Sequence, residues 1–143
     1  MKIRQISVFL ENRPGRLSAL CRTLADAGVN LSTLTLAETG EFGLLRLMTA
    51  DPDKAKQVIE QAGYAATATE VVALQVPDRP GGLASVLRVL ETHNISVEYM
   101  YAFVEKATDK AVLVFRFENM DEALAAFKKA GVSVLPAATV YSL

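Results

Sequence analysis

The fold is decided by a short motif near the N-terminus, Leu10-Glu-Asn-Arg-Pro-Gly-Arg-Leu17, which returns later in the chain as Val76-Pro-Asp-Arg-Pro-Gly-Gly-Leu83. The match continues at the same offset beyond the motif, for example from Leu24 to Leu90. Repetition over such a distance indicates two copies of one structural unit. The chain of 143 residues therefore consists of two halves with one plan.

The first copy of the motif joins a predicted strand to a predicted helix. Apolar residues alternate with polar ones over 6–10, as in a strand, and recur three and four residues apart over 17–24, as on one face of a helix. Pro14 suits the first turn of this helix, where the missing N–H of proline is no loss. Gly28 provides a left-handed stop at its C-terminal end.

The remainder of the first half predicts a hairpin, a second helix and a weaker fourth strand. Two strand-like runs, 29–37 and 42–48, flank Gly40. Asp51-Pro52 then supplies an N-cap residue and a proline at the first helical position. The helix that begins there ends at Gly63, and the weaker strand candidate follows this glycine.

The second half repeats the same order of elements. A polar stretch, Val104–Lys110, makes its hairpin connection longer than the one in the first half. Asn119 with Glu122 three residues later is typical of a capping box at the start of a helix. The strands and helices of this half are predicted at 71–76, 83–90, 95–103, 111–117, 119–130 and from 132 onward.

Each half thus has the order βαββαβ. Because each helix carries a single apolar stripe, both helices of a half must cover the same face of a four-stranded antiparallel sheet. The predicted fold class is α+β, with two ferredoxin-like units, eight strands and four helices. We place the domains at 1–69 and 70–143; the strand boundary between residues 68 and 73 stays open. The residues expected in the apolar core are Val8, Leu17, Leu20, Leu24, Ile59, Leu83, Val86, Leu90 and Phe127.

The composition excludes several classes of protein. Fifteen basic residues against sixteen acidic ones give a net charge of -1, so there is no basic field to attract nucleic acid. No apolar run approaches the roughly 20 residues that a membrane-spanning helix needs, so we expect no membrane partner. The single Cys21 cannot form an internal disulfide, and no signal-peptide pattern follows Met1, which favours a cytoplasmic location.

The two copies of the motif resemble the ACT domain, the small amino-acid-sensing module attached to many biosynthetic enzymes. In the first copy the motif and its Leu-striped helix lead into Ala27-Gly-Val-Asn-Leu31, and in the second copy they lead to His93-Asn-Ile-Ser96. The resemblance covers essentially the whole chain. The first copy is most similar to the serine-sensing regulatory domain of 3-phosphoglycerate dehydrogenase, although that sensor has a histidine at the position of Leu10.

This resemblance implies an amino-acid site. It implies ligand contacts from Asn12 in the loop and from Asn30 at the start of strand two, and Asp78 and Ser96 occupy the two corresponding positions in the second copy. The candidate ligand-binding residues are Asn12, Arg13, Pro14, Gly15, Asn30, Leu31, Asp78, Arg79, Pro80, Gly81 and Ser96.

Elementary chemistry is consistent with such a site. The first turn of a helix offers unsatisfied N–H groups and a partial positive charge to the carboxylate of a free amino acid. Gly15 and Gly81 permit close approach of the backbone, and the side-chain oxygens of asparagine or aspartate could accept from the ammonium group. The alternative is that Arg-Pro-Gly forms only a stiff turn from strand to helix, held by an Asx bond from Asn12.

Other candidate residues have structural interpretations. His93 is the only histidine, and no second histidine or cysteine pair accompanies it to form a metal site, so we expect it to be exposed at a helix C-terminus. Cys21 lies on the apolar stripe of the first helix and is expected in the core. Leu44, Leu47, Val112 and Phe115 place apolar residues on both faces of the hairpin strands, which favours a homodimer.

The sequence favours one of three classes of function. No catalytic triad, paired catalytic carboxylates, phosphate loop or dinucleotide fingerprint is present, so we expect neither an enzyme nor a bound cofactor. An RNA-binding ferredoxin-like module would need exposed aromatic residues with basic neighbours on its central strands, and this sequence does not have that pattern. We therefore expect a stand-alone sensor that binds a free L-amino acid at the interface between ACT-like units and regulates a partner enzyme of amino-acid metabolism in trans. The alternative is a structural or interaction module that binds no ligand.

Overall fold

The computed structural model describes residues 2–103 and 109–143, and it divides the chain into two compact units. The first unit consists of Arg4–Thr69 together with Tyr141–Leu143. The second consists of Glu70–Val140 together with Lys2 and Ile3. The polar connection predicted at Val104–Lys110 lies outside the described residues over 104–108.

The first half has the predicted order of strands and helices. Its final strand differs from the prediction, because the weak strand after Gly63 and the first strand of the second half form one continuous strand of 12 residues. Nothing between 65 and 76 breaks a strand, since this stretch contains neither Gly nor Pro. The elements are β1 Ile3–Glu11, α1 Arg16–Asp26, β2 Thr33–Thr39, β3 Phe42–Met48, α2 Pro52–Gln61 and β4 Ala66–Pro77.

The second half ends in a helix that the sequence did not predict. This helix follows Pro136, whose carbonyl accepts hydrogen bonds from the N–H groups of Thr139 at 3.1 Å and Val140 at 3.2 Å. It has only five residues, too few for a helical period to be detected. The elements are α3 Gly82–Thr92, β5 Val97–Ala102, β6 Lys110–Phe117, α4 Met120–Ala130, β7 Ser133–Val134 and α5 Ala137–Tyr141. The described residues therefore form seven strands and five helices, where eight and four were predicted.

Each unit contains an antiparallel sheet. In the first unit β3 lies between β2 and β1, with Ile6 opposite Leu47 and Leu34 also opposite Leu47. In the second unit β6 pairs with both β4 and β5, and β7 adds to β4. The predicted α+β class with two ferredoxin-like repeats is confirmed.

Both helices of the first unit cover one face of its sheet. The side chains that β1 and β3 direct to this face pack against Leu20 and Leu24 of α1 and against Ala55 and Ile59 of α2. As predicted, both helices therefore cover the same face of this sheet. The buried residues of this cluster are Ile6, Val8, Leu10, Leu20, Leu24, Leu45, Leu47, Ala55 and Ile59.

The core of the second unit is built around three phenylalanines. The rings of Phe115 and Phe117 are stacked with centroids 5.3 Å apart, and Phe127 of α4 packs against Phe117 at 5.5 Å. All three side chains are fully buried. Aromatic pairs at these distances add to the stability that burial provides. Val86 and Leu90 of α3 complete this cluster.

Four apolar positions differ from the sequence prediction. Leu83 is 37% exposed, because the inward stripe of α3 begins one residue earlier, at the buried Gly82. Leu17 is half-buried at the edge of its cluster. Leu47 and Phe115, which were predicted to leave apolar surface for a partner, are completely buried within their own units.

Terminal segments are tied into both units by polar contacts. In the second unit the ammonium of Lys2 lies 2.9 Å from Asp121 and 3.5 Å from Glu70. The hydrogen bond and the charge of Asp121 raise the pKa of Lys2, with a smaller contribution from Glu70. In the first unit the N–H of Arg4 donates to the hydroxyl of Tyr141 at 3.0 Å.

Two leucines of α3 should respond very differently to truncation. Leu90 is buried in the core, so Leu90→Ala is expected to lower the free energy of unfolding by about 2–5 kcal/mol through lost burial and the cavity left behind. Leu83→Ala, on the same helix, should cost less than about 1 kcal/mol. Urea unfolding followed by circular dichroism measures both. Equal costs would contradict this orientation of α3.

Candidate ligand site

The two Arg-Pro-Gly turns share one backbone conformation. Gly15 and Gly81 both have φ of 85°, in the left-handed region that glycine adopts without a steric penalty. Each glycine is the N-cap, so α1 begins at Arg16 and α3 at Gly82. The prediction that Pro14 lies in the first turn of the helix is therefore wrong, because this proline precedes the N-cap.

These two helices differ at their N-termini from the other two long helices. The side chain of Asp51 accepts from the N–H of Lys54 at the start of α2, and that of Asn119 accepts from the N–H of Glu122 at the start of α4. By contrast, Gly15 and Gly81 have no side chain to cap with, and the first turns of α1 and α3 contain no acidic residue. Neither α1 nor α3 therefore carries an acidic residue of its own within its first turn, where the helix dipole is positive.

In the first turn, Asn12 is bound to the hairpin between β2 and β3. Its backbone N–H donates to the carbonyl of Glu41 at 2.8 Å. Its side-chain amide donates to the carboxylate of Glu38 and to the carbonyl of Gly40, both at 3.3 Å. Asn12 is exposed, and these contacts fix its side chain against the end of the hairpin.

The charged side chains of this turn pair with one another. The carboxylate of Glu11 lies 3.2 Å from the guanidinium of Arg13 and 3.6 Å from that of Arg16. All three side chains are substantially exposed, so these pairs add little to stability. They do, however, place a carboxylate beside the N-terminus of α1. Pro14 and Gly15 are also exposed.

The structure does not bring Asn30 near Asn12 within the first unit. β2 begins only at Thr33, so Asn30 and Leu31 lie in the preceding loop rather than on the predicted strand. Asn12 contacts the other end of β2, and the seven residues of the strand span roughly 20 Å. Asn30 is exposed and Leu31 is half-buried. The turn and Asn30 are therefore separated within one unit, and the expected site at the seam between ACT-like units stays a prediction.

The second copy shows the same separation. The N–H of Asp78 donates to the carbonyl of Asp109 at 3.0 Å, next to the start of β6. The carbonyl of Ser96 accepts from the N–H of Glu118 at 3.1 Å, just beyond the end of β6. Asp78 and Ser96 therefore lie at opposite ends of that strand.

A cleft of about 620 Å³ lies beside the second turn, entirely within the second unit. The predicted residues Arg79, Pro80 and Gly81 line it, together with the first turns of α3 and the end of α4. Among the described residues that form its walls, Arg79 and Lys110 are basic and none is acidic. The described residues that line it are Gln75, Pro77, Arg79, Pro80, Gly81, Gly82, Ser85, Val86, Val89, Lys110, Ala130, Gly131, Val132 and Ser133.

The cleft lies between two helix ends of opposite polarity. Gly81 and Ser85 belong to the N-terminal end of α3, where the helix dipole is positive. Ala130 and Gly131 belong to the C-terminal end of α4, where the dipole is negative. A zwitterion such as a free amino acid could therefore place its carboxylate at one end and its ammonium at the other.

Gly82 lies in close contact with the backbone of the preceding strand. A Cβ at this position would lie 2.0 Å from the carbonyl oxygen of Pro77, so only glycine fits. The corresponding residue of the first copy is Arg16, which carries a long side chain. The doubled glycine of Gly81-Gly82 was the sequence signal for this close approach, and the sequence interpretation missed its second member.

Three further residues can be placed. Leu10 is 3% exposed, and its side chain packs in the core of the first unit. His93 is exposed at the C-terminus of α3, as predicted, with Nδ1 2.9 Å from the carbonyl of Val89. Cys21 is half-buried rather than fully in the core.

In the parts of the chain that the structure describes, no cluster of potential metal ligands occurs, and no helix is long and apolar enough to span a membrane.

Comparison with known proteins now identifies the family. The family model for the ACT domain pair matches residues 1–135. This chain belongs to the ACT domain pair family. The prediction of two ACT-like units is thereby confirmed.

Solved structures of similar fold support this assignment. Protein BT0572 from Bacteroides thetaiotaomicron is 39% identical, with a TM-score of 0.94 over 100% of this chain and 98% of that one. The ligand-free regulatory subunit of aspartate kinase from Thermus thermophilus is 15% identical, with a TM-score of 0.61 over 89% of this chain and 91% of that one. The corresponding subunit from Thermus flavus is 16% identical, with a TM-score of 0.58 over 90% and 92%. No curated protein sequence matches this chain significantly.

Adjacent glycines of the second turn should tolerate alanine unequally. Gly82→Ala is expected to lower the free energy of unfolding by about 3 kcal/mol, because its Cβ overlaps the carbonyl of Pro77. Gly81→Ala should cost only about 1 kcal/mol, since it meets no atom within 4 Å and suffers strain from its positive φ alone. Chemical denaturation of both variants makes the comparison. A neutral or stabilising Gly82→Ala would contradict the packing described for this turn.

Proposed function

We propose that this ACT domain pair is a stand-alone sensor, which binds a free L-amino acid and regulates an enzyme of amino-acid metabolism in trans. The observation that carries the proposal is the cleft beside Arg79–Gly82, which has basic residues and the uncapped N-terminus of α3 among its walls. A carboxylate is the ligand group that this arrangement favours. The negative end of α4 on the opposite wall favours an ammonium group there.

The site at the first turn requires a different arrangement. Asn12 and Asn30 lie at opposite ends of β2 within one unit, so one ligand could contact both only if two ACT units or two copies of the chain contribute. We propose such a shared site and, with it, a homodimer. The comparisons do not confirm the resemblance of the first half to the serine-sensing domain of 3-phosphoglycerate dehydrogenase, and Leu10, where that sensor has a histidine, is buried in the core of its own unit.

The regulatory role rests on family and on chemistry. Two proteins of similar fold are described as regulatory subunits of aspartate kinase. We propose that the present chain likewise acts on an enzyme as a regulatory subunit and is not itself an enzyme. The ligand would change the affinity for this partner, and by linkage the partner would change the affinity for the ligand equally.

A structural module without a ligand is the second candidate. The contacts of Asn12 favour it at the first turn, because its side-chain amide already has partners in Glu38 and Gly40. In that case Arg-Pro-Gly serves only to start the helix. At the second turn the motif instead lines the cleft, so the two turns can be tested separately.

Ligand binding should raise the melting temperature. A sensor must release its ligand, so we expect a Kd in the micromolar to millimolar range, about -8 to -4 kcal/mol. At a hundredfold excess over Kd, binding adds about 2.7 kcal/mol to the stability, which corresponds to a rise of about 5–10 °C for a chain of this size. A thermal-shift screen of the twenty amino acids measures this rise.

Variants of the two turns separate the possible sites. Arg79→Ala should weaken binding by about 1.5–3 kcal/mol if the cleft of the second unit is occupied, because a carboxylate loses its charged partner. Asn12→Ala and Asn30→Ala test the shared site, and Asp78→Ala tests the loop of the second turn. His93→Ala is the control, since this exposed residue lies outside the cleft. A protein whose melting temperature responds to no amino acid would support the structural module.

A further inference from the structure

The cleft beside the second turn has an uneven charge around its walls. Arg79 and Lys110 both line it, and none of the described residues that line it is acidic. Asp78 and Asp109, their acidic neighbours in the sequence, are not among those residues. The volume of about 620 Å³ is within the range of about 300–1,000 Å³ that small-molecule sites occupy. The cleft therefore has room for a ligand with a side chain beside two cationic residues.

Both basic residues lie where β4 ends. Lys110 is the register partner of Pro77, the last residue of β4. Arg79 donates its backbone N–H to the carbonyl of the same proline at 3.0 Å. Paired residues of an antiparallel sheet have Cα atoms about 4.5–5.5 Å apart, so Arg79 and Lys110 extend from neighbouring points around Pro77. A different part of the cleft wall is formed by Ala130 and Gly131 at the C-terminal end of α4.

The hydroxyl of Ser85, which also lines the cleft, is engaged within its own helix. It donates to the carbonyl of Gly81 at 2.9 Å, in the first turn of α3. Its proton is therefore used by the backbone, whereas its oxygen can still accept a hydrogen bond. Lysine and arginine side chains, in contrast, carry only donors and no acceptor. The end of the cleft around Pro77 therefore suits a ligand group with acceptor oxygens and negative charge.

We propose that the preferred ligand of this cleft is an acidic amino acid, whose side-chain carboxylate lies against Lys110 while its α-carboxylate lies at Arg79 and the N-terminus of α3. This inference rests on the proposed sensor function and names the class of its ligand. A neutral amino acid has one carboxylate for two basic residues, whereas aspartate or glutamate has one for each. A side-chain amide would replace an acceptor oxygen by an NH₂ donor, which neither cation can accept.

Pairs of ligands with nearly the same shape test this preference. Calorimetric titration of the full chain compares glutamate with glutamine and aspartate with asparagine. In at least one pair the acid should bind about fivefold more tightly than the amide at low salt, a modest factor because both basic residues are exposed. The preference should shrink at about 1 M salt, where the Debye length falls to about 3 Å.

Substitutions of lysine test which residue reads the side chain. Lys110→Met removes the charge and keeps a long side chain, so it should weaken binding of the acid about fivefold and leave binding of the matching amide unchanged. Lys110→Arg should retain the preference. Lys128→Met is the control, because this exposed lysine of α4 is not among the residues that line the cleft. Far-UV circular dichroism shows that each variant is folded.

The possible failures of this inference and of the sensor function are distinguishable. An amide that binds as tightly as its acid, a preference that survives Lys110→Met, or one that Lys128→Met abolishes equally would overturn the acidic ligand. Each of these results would leave the proposed amino-acid sensor intact. The absence of saturable binding by any of the twenty amino acids would overturn the sensor function, and this inference with it.

Discussion

The structure depends on one backbone constraint, the left-handed glycine that joins a strand to the helix after it. Within four residues the chain must leave the sheet, reverse direction and begin a helix above the face it has just left. Gly15 and Gly81 make this possible with φ of 85°, a conformation that would strain another residue. The same constraint leaves each helix without a side-chain cap, because glycine has none to offer. An uncapped positive helix end is therefore a consequence of how the fold begins.

The two repeats use this constraint differently. In the first turn the long side chain of Arg16 follows the glycine, and Glu11 places a carboxylate beside the helix end. In the second turn Gly82 packs directly against the carbonyl of Pro77, and basic residues line the cleft beside it. The first repeat thus has an exposed, ion-paired turn, and the second has a cleft beside its turn.

Local signals in the sequence predicted most of the fold. Asp51 and Asn119 cap their helices as their sequence positions indicated, because capping involves only residues two or three apart. The order of elements and most of the buried stripes were predicted for the same reason. The predictions that failed depended on the exact phase of a helix or on whether two strands join into one. Leu83 lies outside the stripe because Gly82 takes the inward position, and α5 was too short to show a period.

The site was less predictable than the fold. The sequence places Arg79–Gly81 at a helix start, but it carries no information on which end of a strand a loop residue reaches until strand registers are known. Asn12 and Asn30 were therefore expected to contact one ligand at a seam between ACT-like units, and only the strand registers show that β2 separates them within a unit. The cleft itself depends on Ala130–Ser133, which lie far from the turn in sequence. Contacts between such distant segments are fixed by tertiary packing rather than by local pattern.

The central claim is that the second turn receives the carboxylate of an amino acid. Two-dimensional ¹H–¹⁵N nuclear magnetic resonance during an amino-acid titration tests it most directly. The account predicts saturable shifts of the backbone N–H signals of Gly81, Leu83 and Ala84, with little change at Asp53 in the capped first turn of α2. Saturable shifts elsewhere that leave these three signals unmoved, or no saturable shift with any of the twenty amino acids, would contradict it.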